Sequence, residues 1–94
     1  QKEFATRPKT NCQPKWFRAT VDIQKNCIYI TNAKEHNPSS KIKIPRKLGL
    51  KDFKKIYPLH IRRESGERVS KEAGEATVNQ VYFFSLLHDF LENQ

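Results

Sequence analysis

Lys15 to Thr31 reads KWFRATVDIQKNCIYIT, and its period decides the fold class. Phe17, Ala19, Val21 and Ile23 fall on one side of an extended chain, with Arg18, Thr20, Asp22 and Gln24 on the other. Such alternation, built from β-branched and aromatic residues, marks a half-buried strand. Lys25-Asn26 supplies a two-residue turn, and Cys27 to Thr31 returns as the second arm of a hairpin. A hairpin that buries one face needs a cover. The C-terminal stretch provides one, because Val78 to Glu92 carries Phe83, Phe84, Leu86, Leu87, Phe90 and Leu91 opposite Ser85, His88, Asp89 and Glu92. Thr77-Val-Asn-Gln80 has the form of a capping box at its start.

Between hairpin and helix, punctuation sets the expected order. Asn32 to Ser40 is a polar loop in which Asn32 and Asn37 shape the turn. Lys41-Ile-Lys-Ile-Pro45 alternates and predicts a third strand, stopped by Pro45. Leu50, Phe53, Ile56 and Tyr57 line one face of a short helix, which Pro58 ends. Leu59 to Arg63 predicts a fourth strand, Glu64 to Glu67 a turn, and Arg68 to Lys71 a short fifth strand. Gly74 breaks any helix over Lys71 to Ala76. The order is β-β-β-α-β-β-α. It predicts an α+β fold, a small antiparallel twisted sheet or partly closed barrel with the C-terminal amphipathic helix packed on it. Residues 1–15 read as an extended basic arm anchored by Phe4, and 16–94 as the domain itself.

A chain of 94 residues with 36% hydrophobic residues holds one domain of modest core. No run approaches the ~20 apolar residues of a membrane span. The net charge of +8 is unevenly placed. Residues 1–55 hold 14 basic against 4 acidic side chains, and residues 56–94 hold 4 against 6. Seven basic residues, Lys41, Lys43, Arg46, Lys47, Lys51, Lys54 and Lys55, fall within fifteen positions. Such a cluster points to a polyanion, with nucleic acid first. Arg18, Thr20 and Arg62 extend the patch. Arg18, Arg46, Arg62 and Arg63 are the expected readers of base edges, since a guanidinium pairs bidentately with guanine.

Motifs for catalysis are missing: there is no HExxH, GxSxG, Walker A or GxGxxG. Asp22 with Asp52-Phe-Lys54 imitates a metal-nuclease set only in spacing, and His60, within a predicted strand, reads equally as a plain sheet residue or a base. Cys12 and Cys27 stand alone without a CxxC, so neither a metal nor a cofactor is expected. Two thiols, no leader and no Met fit an intracellular chain, or a piece of a larger protein.

KIKIPRKLGL, residues 41–50, resembles the strand–proline–Leu-Gly stretch of AbrB-type swapped-hairpin DNA-binding domains, and loosely that of B3-type pseudobarrels. The likeness covers ten residues. Only Arg46-Lys47 stands where those families carry a longer helical insert, so no functional residue is carried over.

The leading expectation is a nucleic-acid-binding domain without enzymatic activity, for double-stranded DNA ahead of single strands, within a regulatory or DNA-processing protein. Trp16 and Tyr29 are the candidate stacking platforms if single strands bind. The alternative is a protein- or phospholipid-interaction module for an acidic or phosphorylated partner, with Arg62-Arg63 taking the phosphate. A protein partner or dimer through the C-terminal helix fits either. An extracellular heparin-type binder would need Cys12 and Cys27 oxidised.

Overall fold

A computed structural model describes residues 2–8 and 12–92. The elements run β1 (Lys2–Ala5), β2 (Trp16–Asp22), β3 (Cys27–Asn32), β4 (Arg46–Gly49), α1 (Leu50–Glu64), α2 (Ser70–Ala76) and α3 (Gln80–Glu92). The four strands form one antiparallel sheet in the order β1-β2-β3-β4, and the sheet does not close. The class is α+β, with a C-terminal helix on the sheet as the alternation implied. The element order differs: four strands precede three helices.

The hairpin stands where its period placed it, with Ala19 opposite Ile30 and Val21 opposite Ile28. Its turn is longer than expected. Pairing stops at Asp22 and Cys27, because the Asp22 carboxylate accepts the Lys25 backbone N–H at 3.1 Å and Asn26 takes a positive φ of 52°. An Asx turn followed by an asparagine in the left-handed region is cheap for these residue types. Ile23 is therefore lifted out of the sheet and is 83% exposed, against the inward position that alternation gave it.

Residues at the start of the expected arm form β1, an edge strand with Phe4 opposite Phe17 and their rings 5.9 Å apart. Lys9, Thr10 and Asn11, also in that arm, lie outside the described residues. The third strand is shifted. Lys41 to Pro45 is irregular, because the Asn32 side chain takes both backbone groups of Ile42, accepting its N–H at 2.7 Å and donating to its carbonyl at 2.9 Å. Asn32 thus shapes the turn, and the strand begins only after Pro45. The sheet is a meander of consecutive strands, and of KIKIPRKLGL only Arg46 to Gly49 belongs to it.

Pro58 does not end a helix. α1 continues through it to Glu64, and the expected fourth strand is its second half. Pro58 lacks an N–H for the Lys54 carbonyl, yet Ile56, Leu59 and His60 are buried together on either side of it. Burial of one continuous face outweighs a missing bond on the exposed side. The expected fifth strand is instead the approach to α2, pinned by buried Val69 and Ala73, with Gly74 exposed inside the helix.

The core lies between one sheet face and the helices, around Phe17, Ile30, Leu48, Ile56, Leu59, Phe83, Phe84 and Leu87. Tyr82 meets Phe17 edge-on at 5.0 Å. Ser85 donates to the Ala5 carbonyl at 2.5 Å and ties α3 to the edge strand. The capping box does not form. Thr77 accepts the Asn79 N–H at 3.1 Å, the helix starts at Gln80, and the Gln80 Oε1 is buried without a hydrogen-bond donor. Among the described residues no helix is long and apolar enough to cross a membrane.

Candidate nucleic-acid interface

The basic cluster occupies the edge of the sheet and the helix that follows it. Lys41 and Lys43 lie in the irregular approach, Arg46 and Lys47 on edge strand β4, and Lys51, Lys54 and Lys55 on α1, all of them exposed. Lys47 is opposite Tyr29 in the ladder, so it shares the sheet face turned away from the helices with Tyr29, Thr31, Thr20 and Arg18. Lys51 and Lys55 stand one helical turn apart. Among the described residues no carboxylate lies within ion-pair distance of these six lysines. Arg46 donates to the Asn79 Oδ1 at 3.1 Å, at the start of α3.

The arginines have other work. Arg18 is held by Glu3 at 2.8 Å and lies 3.9 Å from Glu35. Arg62 bonds Glu67 at 3.1 Å and Glu72 at 2.7 Å. The Glu72 and Glu67 carboxylates hold the Arg62 guanidinium charged well beyond its ordinary range, and Glu72 is shifted below its own by the same contact. Arg63 is half-buried, its guanidinium 4.7 Å over the Phe84 ring and donating to the Arg7 carbonyl at 2.6 Å. Arg7 pairs with Glu64. Glu64, Glu67 and Glu72 are thus arginine partners. Arg18, Arg62 and Arg63 brace the fold, which leaves Arg46 as the exposed arginine of the four expected base readers.

Glu3 organises the loop beside this face. Its side chain is only 3% exposed, and it accepts the backbone N–H groups of Lys34, Glu35 and His36 as well as Arg18. The His36 Nδ1 lies 2.9 Å from it, and the His36 ring stacks on Trp16 at 4.0 Å. Trp16 is therefore covered rather than offered to a base. Glu3, Glu35 and His36 bring three metal-ligand atoms within 4.8 Å. The Glu3 oxygens are already saturated by N–H donors, so the cluster works as a loop clasp. Burial pushes the Glu3 carboxyl up, but the Lys34 N–H, His36 and Arg18 outweigh it and hold it well below the ordinary carboxylate range.

The clasp's stability is complete above the ordinary carboxyl value of about 4.3 and is lost only as pH falls through the lower, folded value. We expect the Lys34 and Glu35 amide proton shifts to stay constant through pH 4.3 and to move only well below it. In Glu3→Gln they are displaced at every pH. A midpoint at the ordinary carboxyl value would show that the hydrogen bonds do not hold the charge.

His60, expected on a strand, is buried on α1 at 2% exposure, its Nε2 3.8 Å from Glu64. Burial pushes its pKa down, with only partial compensation from Glu64. Asp22 serves the β-turn and Asp52 the first turn of α1, so neither part of the nuclease-like spacing is set apart for a metal. Cys12 is exposed and Cys27 buried, with no disulfide between them.

Two cavities escaped the sequence reading. An apolar groove of about 980 Å³ opens between α1, α3 and the exposed end of the sheet. Val21, Leu48, Phe53, Tyr57, Leu87 and Phe90 are among its walls. The second, of about 560 Å³, has a mixed lining and is bounded by the N-terminal segment, Lys41, α1 and the start of α3. The first has a visible sequence cause, since Leu50, Phe53, Tyr57, Phe90 and Leu91 outnumber the positions that the sheet covers. The second depends on residues up to 78 positions apart and has none. Comparison with protein-family models, curated proteins and solved structures finds no match for this chain.

Proposed function

We propose that this domain binds double-stranded nucleic acid, with DNA the expected duplex, through phosphate contacts made by Lys41, Lys43, Lys47, Lys51, Lys54 and Lys55. The observation that carries the reading is the division between cations. Carboxylates pair with Arg7, Arg18 and Arg62, while six exposed lysines, on the approach to β4, on β4 and on α1, have no carboxylate within ion-pair distance among the described residues. A lysine ammonium is a mobile point charge suited to phosphates, and phosphate contacts position a protein without reading bases. Arg46 adjoins these lysines but lies opposite Ile30 on the helix side of the sheet and donates to Asn79, and the reading is a binding module rather than an enzyme. Affinity for a duplex of random sequence, measured across a range of salt, tests it. Six phosphate contacts give a slope of log K against log salt of about −5, and a flat profile would overturn the reading.

A second reading concerns the groove and a second copy of this chain. Val21 is 65% exposed, Ile23 83%, Leu50 52% and Phe90 61%, with Phe53, Tyr57 and Leu91 near 40%. Their exposed surface amounts to roughly 700 Å², close to the ~800 Å² that each partner contributes to a standard interface and above the patch of an ordinary monomer. The charged groups in the groove are Lys2, Asp22 and Asp89, and Lys2 lies 3.8 Å from Asp89, so the +8 chain does not repel itself there. Sedimentation should give a dimer that Phe90→Glu converts to monomer. A wild-type monomer at every concentration, or a complex that forms only with a different protein, would remove this reading.

A further inference from the structure

We propose that the cavity between the N-terminal segment, Lys41 and the α1–α3 contact is a binding site for a phosphoryl monoester. Four cationic side chains line it, namely Arg7, Lys15, Lys41 and Arg63, and none of its described lining residues is acidic. Ser40 and Ser70 add hydroxyl groups to the wall. Its volume of about 560 Å³ lies within the ~300–1,000 Å³ of small-ligand sites.

Behind the wall the two arginines are held by other groups. Glu64 is the carboxylate that Arg7 bonds, and the same oxygen is 3.8 Å from the His60 Nε2 and 3.5 Å from the His88 Nδ1. Arg63 is fixed by Phe84 and by the Arg7 carbonyl, and both its burial and the nearby Arg7 push its pKa down. A cation whose charged form is disfavoured by its surroundings gains from an anion brought next to it. Exposed Lys15 and Lys41 are therefore the side chains that can swing onto an anion, with Arg63 adding charge behind them.

Gln80 borders the cavity too, and its Oε1 is buried with no hydrogen-bond donor among the described residues, an arrangement that is costly in a finished structure. A recessed site with several cations suits the dianion at the end of a chain or on a small molecule. The singly charged diester inside a duplex is less suited to it. Guanidiniums and hydroxyls are the groups that hold such oxygens.

Two sources carry this group, a terminal phosphate on a nucleic acid and a small phosphomonoester. The site does not depend on the lysine patch being a duplex-binding surface, although Lys41 borders both. The test is calorimetric titration with inorganic phosphate, followed by oligonucleotides that differ only in a 5′-phosphate. We expect saturable binding of phosphate at one site, weakened at least about tenfold in Lys15→Ala/Lys41→Ala. Those lysines are exposed, so the variant keeps its fold, which the unchanged thermal midpoint without phosphate verifies. Tighter binding of the 5′-phosphorylated oligonucleotide assigns the site to nucleic-acid ends. Equal binding of the two, with phosphate still bound, assigns it to a small phosphomonoester. No saturable phosphate binding, or binding that the double variant leaves intact, overturns the proposal. Lys47→Gln/Lys51→Gln/Lys55→Gln, which touches none of the lining, keeps phosphate binding in full and so separates this site from the duplex surface.

Discussion

Phe17→Ala will lower stability by about 3–5 kcal/mol, whereas Ile23→Ala on the same strand face by period will change it by less than ~0.5 kcal/mol. Phe17 has no exposed surface and is gripped from both sides, by Phe4 on β1 and by the edge of Tyr82 on α3. Removing its ring leaves a cavity where edge strand, central strand and covering helix meet, and none of the three can close it without giving up a contact with the others. A chain of this size has a total stability of roughly 5–14 kcal/mol, so the loss takes about a fifth or more of the whole. Each kcal/mol corresponds to about 4–8 °C in Tm for such a domain. Urea unfolding is the measurement, with a lower midpoint at unchanged slope for Phe17→Ala. A loss below about 1.5 kcal/mol would mean that the core is centred elsewhere.

The contrast between these two residues shows where reading by period succeeds and where it stops. Alternation places Phe17, Ala19, Val21 and Ile23 together, and it holds for as long as the ladder holds. Asp22 then bends the chain by accepting the Lys25 N–H, a short-range contact that competes with one more pair of ladder bonds. The same competition displaced the third strand, where the Asn32 amide satisfies the backbone of Ile42. The alternating residues Lys41 to Ile44 have the right pattern for a strand, but their backbone is taken. At Pro58 the balance tips the other way. A local breaker is overridden because Ile56, Leu59 and His60 form one buried face across it, and the cost of one absent bond falls on solvent-exposed backbone. β1 has a single large apolar residue, Phe4, and acquires its identity only from pairing with β2.

The candidate interface was legible as a count of lysines between positions 41 and 55, since charge density survives any error in secondary structure. What the arginines do was not legible. Glu3 and Arg18 are fifteen positions apart, Arg62 and Glu72 ten, and Arg7 and Glu64 fifty-seven. Each pair is created by the packing of one element on another, so no local spacing announces it. This division also narrows the functional reading. With Arg18, Arg62 and Arg63 engaged within the fold, the proposed contacts become lysine to phosphate, and sequence preference is expected to be weak.

Neutralising Lys47, Lys51 and Lys55 tests that reading at the part of the surface where sheet edge and helix meet. Six phosphate contacts make affinity fall about 1,000-fold between 50 and 200 mM salt. With Lys47→Gln/Lys51→Gln/Lys55→Gln, three contacts remain, and the same change in salt costs only about 40-fold. The slope is the discriminating quantity, because each lost contact removes about 0.9 from it whatever the DNA sequence. All three side chains are exposed and lie among like charges, so the substitutions relieve repulsion and leave the unfolding midpoint where it was or slightly above. Arg46→Gln distinguishes positioning from reading. If Arg46 only adds charge, it lowers the slope by about one unit for every duplex alike. If it meets a base edge, it costs about 1–3 kcal/mol on the preferred sequence and little on others. A triple variant that binds random duplex with the wild-type slope would remove these lysines from the interface. Unchanged folding together with a lost slope would tie them to phosphate.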